Sequence, residues 1–106
     1  MEKDDFVRSA GEGNLESVKE FIDAKGDPNA RDKQGSIALI AAAKQGRKEV
    51  VAFLLENGAE VDGEDSEFEG TALIWAALNG HANTVKLLME QGVARNMALG
   101  LFDIHM

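Results

Sequence analysis

Apolar residues along this chain come in close pairs separated by short polar intervals. Leu39-Ile40 and Ala42-Ala43 form one stretch, and Val50-Val51 and Leu54-Leu55 form the next. Each is the paired stripe of a short amphipathic helix. The same alternation returns at Leu73-Ile74 and Ala76-Ala77, then at Val85 and Leu87-Leu88. It appears more faintly at Phe6-Val7 and Ala10, then at Val18 and Phe21-Ile22. The spacing predicts first helices starting near residues 5, 37 and 72, and second helices starting near 15, 48 and 82. Between the pairs lie polar stretches, GDPNARDKQGS and AEVDGEDSEFEG, rich in turn residues.

The pattern is an internal repeat. Residues 38–58 laid on 72–92 give ten identities in 21 positions, too many for two unrelated helices. Laid on 5–25, the identities thin to Ala10, Gly13, Glu16 and Val18, so the first of three units is the most diverged. Gly46 and Gly80 fall between the two helices of their units, where a left-handed residue ends one and admits the next. Gly58 and Gly92 are expected to end the second helices in the same way. Lys25 holds the corresponding place in the first unit, with Gly26 beside it, so that helix end should be shifted or strained. Two helices of this length cannot bury their apolar faces alone, so neighbouring units must stack. The paired alanines let first helices approach closely. Leu73, Ile74, Ala76 and Ala77 are expected to form the face that packs between units.

These pieces resemble an ankyrin repeat. They are a helix–turn–helix unit of 33 residues, the junction Ala42-Ala43-Lys44-Gln45-Gly46, the second helix Val50 to Leu55, and the turn Gly58-Ala59-Glu60-Val61-Asp62. The resemblance covers roughly residues 4–97. It implies an all-α fold, an ankyrin-like repeat solenoid of three helix–turn–helix units with short turn fingers. First helices would line a concave face and second helices a convex one. Residues 1–106 then form a single domain with units at about 4–31, 32–64 and 65–97, and with 98–106 as a tail or truncated fourth repeat. The family's Thr-Pro-Leu-His signature stands here as Ile37-Ala38-Leu39-Ile40 and Thr71-Ala72-Leu73-Ile74. Thr71 can cap its helix and Ile37 cannot, a difference of about 1 kcal/mol. The finger before the third unit is one residue longer than its predecessor, which makes that offset 34.

Composition narrows the function. One domain of 106 residues is the most that this length supports. Acids outnumber bases 19 to 11, giving a formal charge of −8, so nucleic acid and anionic membrane surfaces are disfavoured as partners. The balance suits protein partners, basic ones in particular. The absence of cysteine removes disulfides, thiolate nucleophiles and Cys-ligated metals, and fits a reducing, cytoplasmic setting. No signal-peptide core opens the chain, and its longest apolar run, Ile37 to Ala43, is far too short to span a bilayer.

Catalytic chemistry finds little support. His81 follows Gly80 where the family often has a structural Gly-His, and His105 has no partner at ligand spacing. Ser9, Ser17, Ser36 and Ser66 are scattered without a general base fixed beside them. No catalytic residue, metal site or cofactor is expected. Residues 60–69 hold six acids, either a solvated turn or a negative finger that selects a basic partner, and they lack the register of a calcium loop. Residues 31–48 are the reverse, so adjacent fingers should pair with one another or present a dipolar surface.

Trp75 takes the place of Ala41 and Arg8 in the other units, so the repeat does not require an aromatic there. It shares a helix face with Leu78 and Asn79. Two readings stay open: a partner-binding anchor, or a cover over the neighbouring finger or Phe68. The reading that follows is a non-catalytic protein-binding module. Its contacts would be Lys33, Gln34, Ser36, Lys44, Gln45, Glu67, Phe68, Trp75, Leu78 and Asn79. The alternative is a structural or self-associating module, engineered or truncated, without an outside ligand. The apolar tail residues Leu99, Leu101, Phe102 and Ile104 would then cap the third unit or join two copies in a homodimer.

Overall fold

The computed structural model describes residues 1–98. Among them, six helices follow one another in pairs, and the only β-structure is two isolated bridges. The pairs are α1 (Lys3–Glu12) with α2 (Leu15–Asp23), α3 (Ala38–Lys44) with α4 (Lys48–Glu56), and α5 (Ala72–Leu78) with α6 (Ala82–Ala98). First helices pack side by side in the order α1, α3, α5, and second helices in the order α2, α4, α6. This is the all-α repeat solenoid that the pattern predicts.

The repeat extends to individual hydrogen bonds. In all three units the junction glycine donates to the carbonyl three residues before it: Gly13 to Ala10, Gly46 to Ala43 and Gly80 to Ala77. The next residue then donates to the carbonyl five back, Asn14 to Ser9, Arg47 to Ala42 and His81 to Ala76, at 2.9–3.0 Å. Such a reversal requires a left-handed residue, and Gly46 sits at φ 69°. At the helix starts, Thr71 accepts from Ile74 N–H at 3.3 Å, whereas Ile37 offers no side-chain cap.

Burial explains why the short helices persist. Phe6, Ala10, Ala38, Leu39, Ile40, Ala42, Ala43, Val51, Leu54, Ala72 and Ala76 are at most 1% exposed and form one continuous core. Phe6 stacks on Phe21 with ring centroids 4.0 Å apart, which ties α1 to α2. Each finger closes on an antiparallel bridge, Arg31 with Ile37 and Glu64 with Thr71.

Three features depart from the sequence reading. Gly92 does not end the second helix of the third unit: α6 runs through it to Ala98. In the second unit Gly58 is left-handed, and Asn29 binds across the turn, its Nδ2 donating to Gly58 O and its Oδ1 accepting from Glu60 N. Beyond Gly92 the residues Val93-Ala94-Arg95-Asn96-Met97-Ala98 contain no such turn, and helical hydrogen bonds offset the roughly 1 kcal/mol that an internal glycine costs. Leu73, Ile74 and Ala77 are exposed, not packed between units. Their equivalents Leu39, Ile40 and Ala43 are buried because α5 lies beyond them, and no described element lies beyond α5. The fingers meet through Ser66, whose N–H and Oγ reach Gly35 O at 3.3 and 3.4 Å, while Lys33 pairs with Asp4 on α1. The tail residues Leu99, Leu101, Phe102 and Ile104, expected to cap the end or join two copies, lie outside the described residues.

Lys25 is strained where it stands, with φ 71°. An L-residue with a Cβ loses about 1–2 kcal/mol in that region, and glycine loses little. Lys25→Gly is therefore expected to raise stability by roughly 0.5–1 kcal/mol after the added freedom of the unfolded chain is counted. Urea unfolding of the two proteins would show this as a higher midpoint at unchanged slope. A midpoint that falls would mean that the lysine side chain contributes more than its backbone loses.

Candidate functional site

Both fingers are organised by an aspartate at their first turn. Asp32 Oδ1 accepts from the N–H groups of Gln34 and Ser36, each at 2.9 Å. Asp65 stands 33 residues later and accepts from Phe68 N–H at 2.6 Å. The longer second finger adds a turn that places Glu69 at φ 57°, where the first finger has Gly35 at φ 80°. Asp65 is 7% exposed, and its other oxygen accepts from Trp75 Nε1 at 2.6 Å. The acidic run thus contains one carboxylate that is a structural part of the finger.

Trp75 is held on three sides. Asp65 binds its indole N–H, Phe68 meets it edge-on with centroids 5.9 Å apart, and Lys44 Nζ lies 4.2 Å from its ring centroid. The ring is half-buried against the core, while Phe68 and Leu78 beside it are 66% and 70% exposed. Lys44 is also tied into the unit boundary through its backbone. Its carbonyl accepts from Asn79 Nδ2 at 3.1 Å and from His81 Nε2 at 2.8 Å. One unit earlier, Arg47 Nε donates to Gly11 O at 3.0 Å. Gly11 and Lys44 are repeat equivalents, as are Arg47 and His81, so both junction side chains grip the same carbonyl of the preceding unit. His81 is structural in this arrangement.

The sequence-predicted contacts fall into two adjoining groups. Lys33, Gln34, Ser36, Lys44 and Gln45 line a cleft of ≈ 670 Å³ between α1, the first finger and α3. Phe68 and Trp75 form the aromatic cluster at its neighbour, reached through Lys44, with exposed Glu67 on the same finger. Leu78 and Asn79 sit at the end of α5. Sequence reasoning missed Asp65, Arg8 and Arg47 as parts of this surface. The recurrence of Asp32 at Asp65 was a usable signal, hidden by the other acids around it. Among the described residues, no group of three or more His, Asp or Glu is placed to hold a metal ion. No helix among them is long and apolar enough to cross a membrane.

Hydrogen bonds set the charge state of Asp65. The Phe68 N–H contributes most, burial opposes it, and Trp75, Gly70 and Glu69 add further donors, so the carboxyl is held below the ordinary carboxylate range. Its folded pKa is lower than its unfolded one. The stability it contributes is therefore complete above the unfolded value and is lost as pH falls through the folded value. Thermal unfolding midpoints should fall on acidification, and Asp65→Asn should flatten that fall while lowering the midpoint at neutral pH. An acid limb that is unchanged in Asp65→Asn would assign the pH dependence to other carboxylates.

A family model for ankyrin repeats in three copies matches residues 6–97. Similar stretches occur in the palmitoyltransferase Hip14 of Drosophila melanogaster, 34% identical over 88 residues. They also occur in serine/threonine-protein kinase 12 of Arabidopsis thaliana, 39% over 89 residues, and in the human palmitoyltransferase ZDHHC13, 34% over 104 residues. These alignments cover 83%, 84% and 96% of this chain but 14%, 19% and 17% of the relatives. The chain therefore spans less than a fifth of each, and the enzymatic names describe those proteins as wholes.

Proposed function

Because the chain belongs to the ankyrin-repeat family, whose repeats generally mediate protein–protein interaction, we propose that it is a non-catalytic module binding a partner protein through its concave face and fingers. The observation that supports this most is the setting of Trp75. A tryptophan that the repeat does not require is fixed in one orientation where the cleft meets the second finger. Beside it stand exposed Phe68 and Leu78. A preorganised aromatic group next to exposed apolar side chains is the composition of an interface hot spot. Lys33, Gln34, Ser36, Gln45, Glu67 and Asn79 surround it as a polar rim. Palmitoyltransferase and protein kinase are names of whole relatives of which this chain spans less than a fifth, and the part we assign to this module is recognition.

Selection of random short peptides on the immobilised chain tests the reading. Peptides that bind the native chain and lose binding to Trp75→Ala support it. A selection whose products bind both chains alike would remove the concave face as the site.

A further inference from the structure

The row of first helices stops at an open face. On α5 the stripe Ala72, Trp75, Ala76 and Asn79 is turned towards α3: Lys44 Nζ lies over the Trp75 ring, and Lys44 O accepts from Asn79 Nδ2. One unit earlier, Ala38, Ala41 and Ala42 form the matching stripe towards α1, where a Cβ at Gly11 would lie 3.5 Å from that of Ala41. Each docking helix therefore brings two fully buried alanines four residues apart, Ala38 with Ala42 and Ala72 with Ala76. The receiving side is repeated too. Phe6, Val7 and Ala10 on α1, then Leu39, Ile40 and Ala43 on α3, are all buried in the core. α5 presents the third such set, Leu73, Ile74 and Ala77, and all three are exposed, Ile74 at 47%. No charged residue interrupts α5. Its open side is a finished receiving face with none of the described helices on it.

Beyond the concave-face reading, we propose that this end of the row is a second partner surface. Its occupant is an amphipathic helix of a partner protein with two small residues, Ala, Gly or Ser, four apart on its apolar side. That helix lies against Leu73, Ile74 and Ala77 as α5 lies against Leu39, Ile40 and Ala43. Side chains at a helix contact set the distance between the axes, so large residues on one side call for small ones on the other. The chain itself offers no such complement. In a second copy stacked head to tail, Asp5 and Ser9 of α1 stand at the Ala38 and Ala42 positions, and a carboxylate would be driven onto Leu73 and Ile74. Two copies meeting face to face would set large residues against large ones, with a charge of −8 on each. Residues 99–106 read LGLFDIHM and contain no two small residues four apart.

A library of stapled helical peptides, randomised along one side and selected on the intact chain, tests this. Peptides held by the end face should bind Ile74→Asp about tenfold or more weakly and should carry Ala, Gly or Ser four apart. They should bind Trp75→Ala as they bind the native chain, because Trp75 belongs to the stripe turned towards α3. Ile74 is already exposed, so the urea midpoint of Ile74→Asp should stay near the native one. If that variant fails to fold, Leu73→Ser supplies the same readout. A selection that yields only peptides dependent on Trp75 and not on Ile74 would overturn the proposal and leave the concave-face reading standing. Ile74-dependent peptides with large residues at the paired positions would overturn it too. A mass that doubles with concentration in the native chain, but not in Ile74→Asp, would give the face to a second copy. Nuclear Overhauser contacts between the Ile74 methyls and the Phe102 ring would give it to residues 99–106, and either result overturns the partner helix.

Discussion

Phe6→Ala is expected to lower the unfolding free energy by about 3–5 kcal/mol, the largest effect of any single truncation in the first unit. Phe6 is fully buried and stacks on Phe21 at 4.0 Å with the ring planes 16° apart. The chain also closes tightly behind Phe21, where a Cβ at Gly26 would come within 2.4 Å of the ring. Phe21 therefore has no room to move on that side and cannot collapse freely into the space that Phe6 leaves. Domains of this size hold only about 5–15 kcal/mol in total. In a repeat array the loss is borne first by the unit that suffers it. Amides of α1 and α2 should lose hydrogen-exchange protection while those of α3 and α4 retain more of theirs. A variant within about 1 kcal/mol of the native chain would place Phe6 outside the core.

Trp75→Ala is expected to weaken partner binding by about 2 kcal/mol or more, roughly thirtyfold in affinity. Its stability will fall as well, because Asp65 loses one donor and Phe68 loses its edge contact. From the sequence alone, an anchor and a cover over the finger looked like competing roles, and only the cover should have affected stability. The structure shows one ring bonded to the finger and still half-exposed, so the two readouts must be separated. Trp75→Phe keeps much of the ring and removes the N–H, and so loses stability through Asp65 with less loss of affinity. Comparing titration of a selected peptide with urea unfolding for both variants resolves the roles. Unchanged affinity in Trp75→Ala, with the chain still folded, would sink the anchor.

The repeat itself was legible because it is written in apolar spacing and in the junction glycines, which act locally. Asn14, Arg47 and His81 share no chemistry, yet each occupies the same turn, and the sequence period alone identifies it. The strain at Lys25 was legible for the same reason, by comparison with Gly58. The site was less so. That Asp65 serves the finger while other acids of the run are exposed depends on which way each side chain turns. That Arg47 substitutes for His81 requires knowing which carbonyl lies across the unit boundary. Exposure of Ile74 depends on what lies beyond α5, which no window of local sequence contains.

The grip of each junction side chain on the preceding unit gives the array a direction. Gly11 and Lys44 each present a carbonyl that the following unit's junction residue takes, and Leu78 holds the corresponding place in the third unit. On α5 and α6, Ile74 and Met89 are 47% and 54% exposed. At the opposite end Phe6, Val7 and Val18 are enclosed. The units behave as a grammar in which each word governs the one before it. New units can be written in after the third by supplying one donor and one apolar helix face, whereas a unit placed ahead of the first would need α1 and α2 to be recomposed.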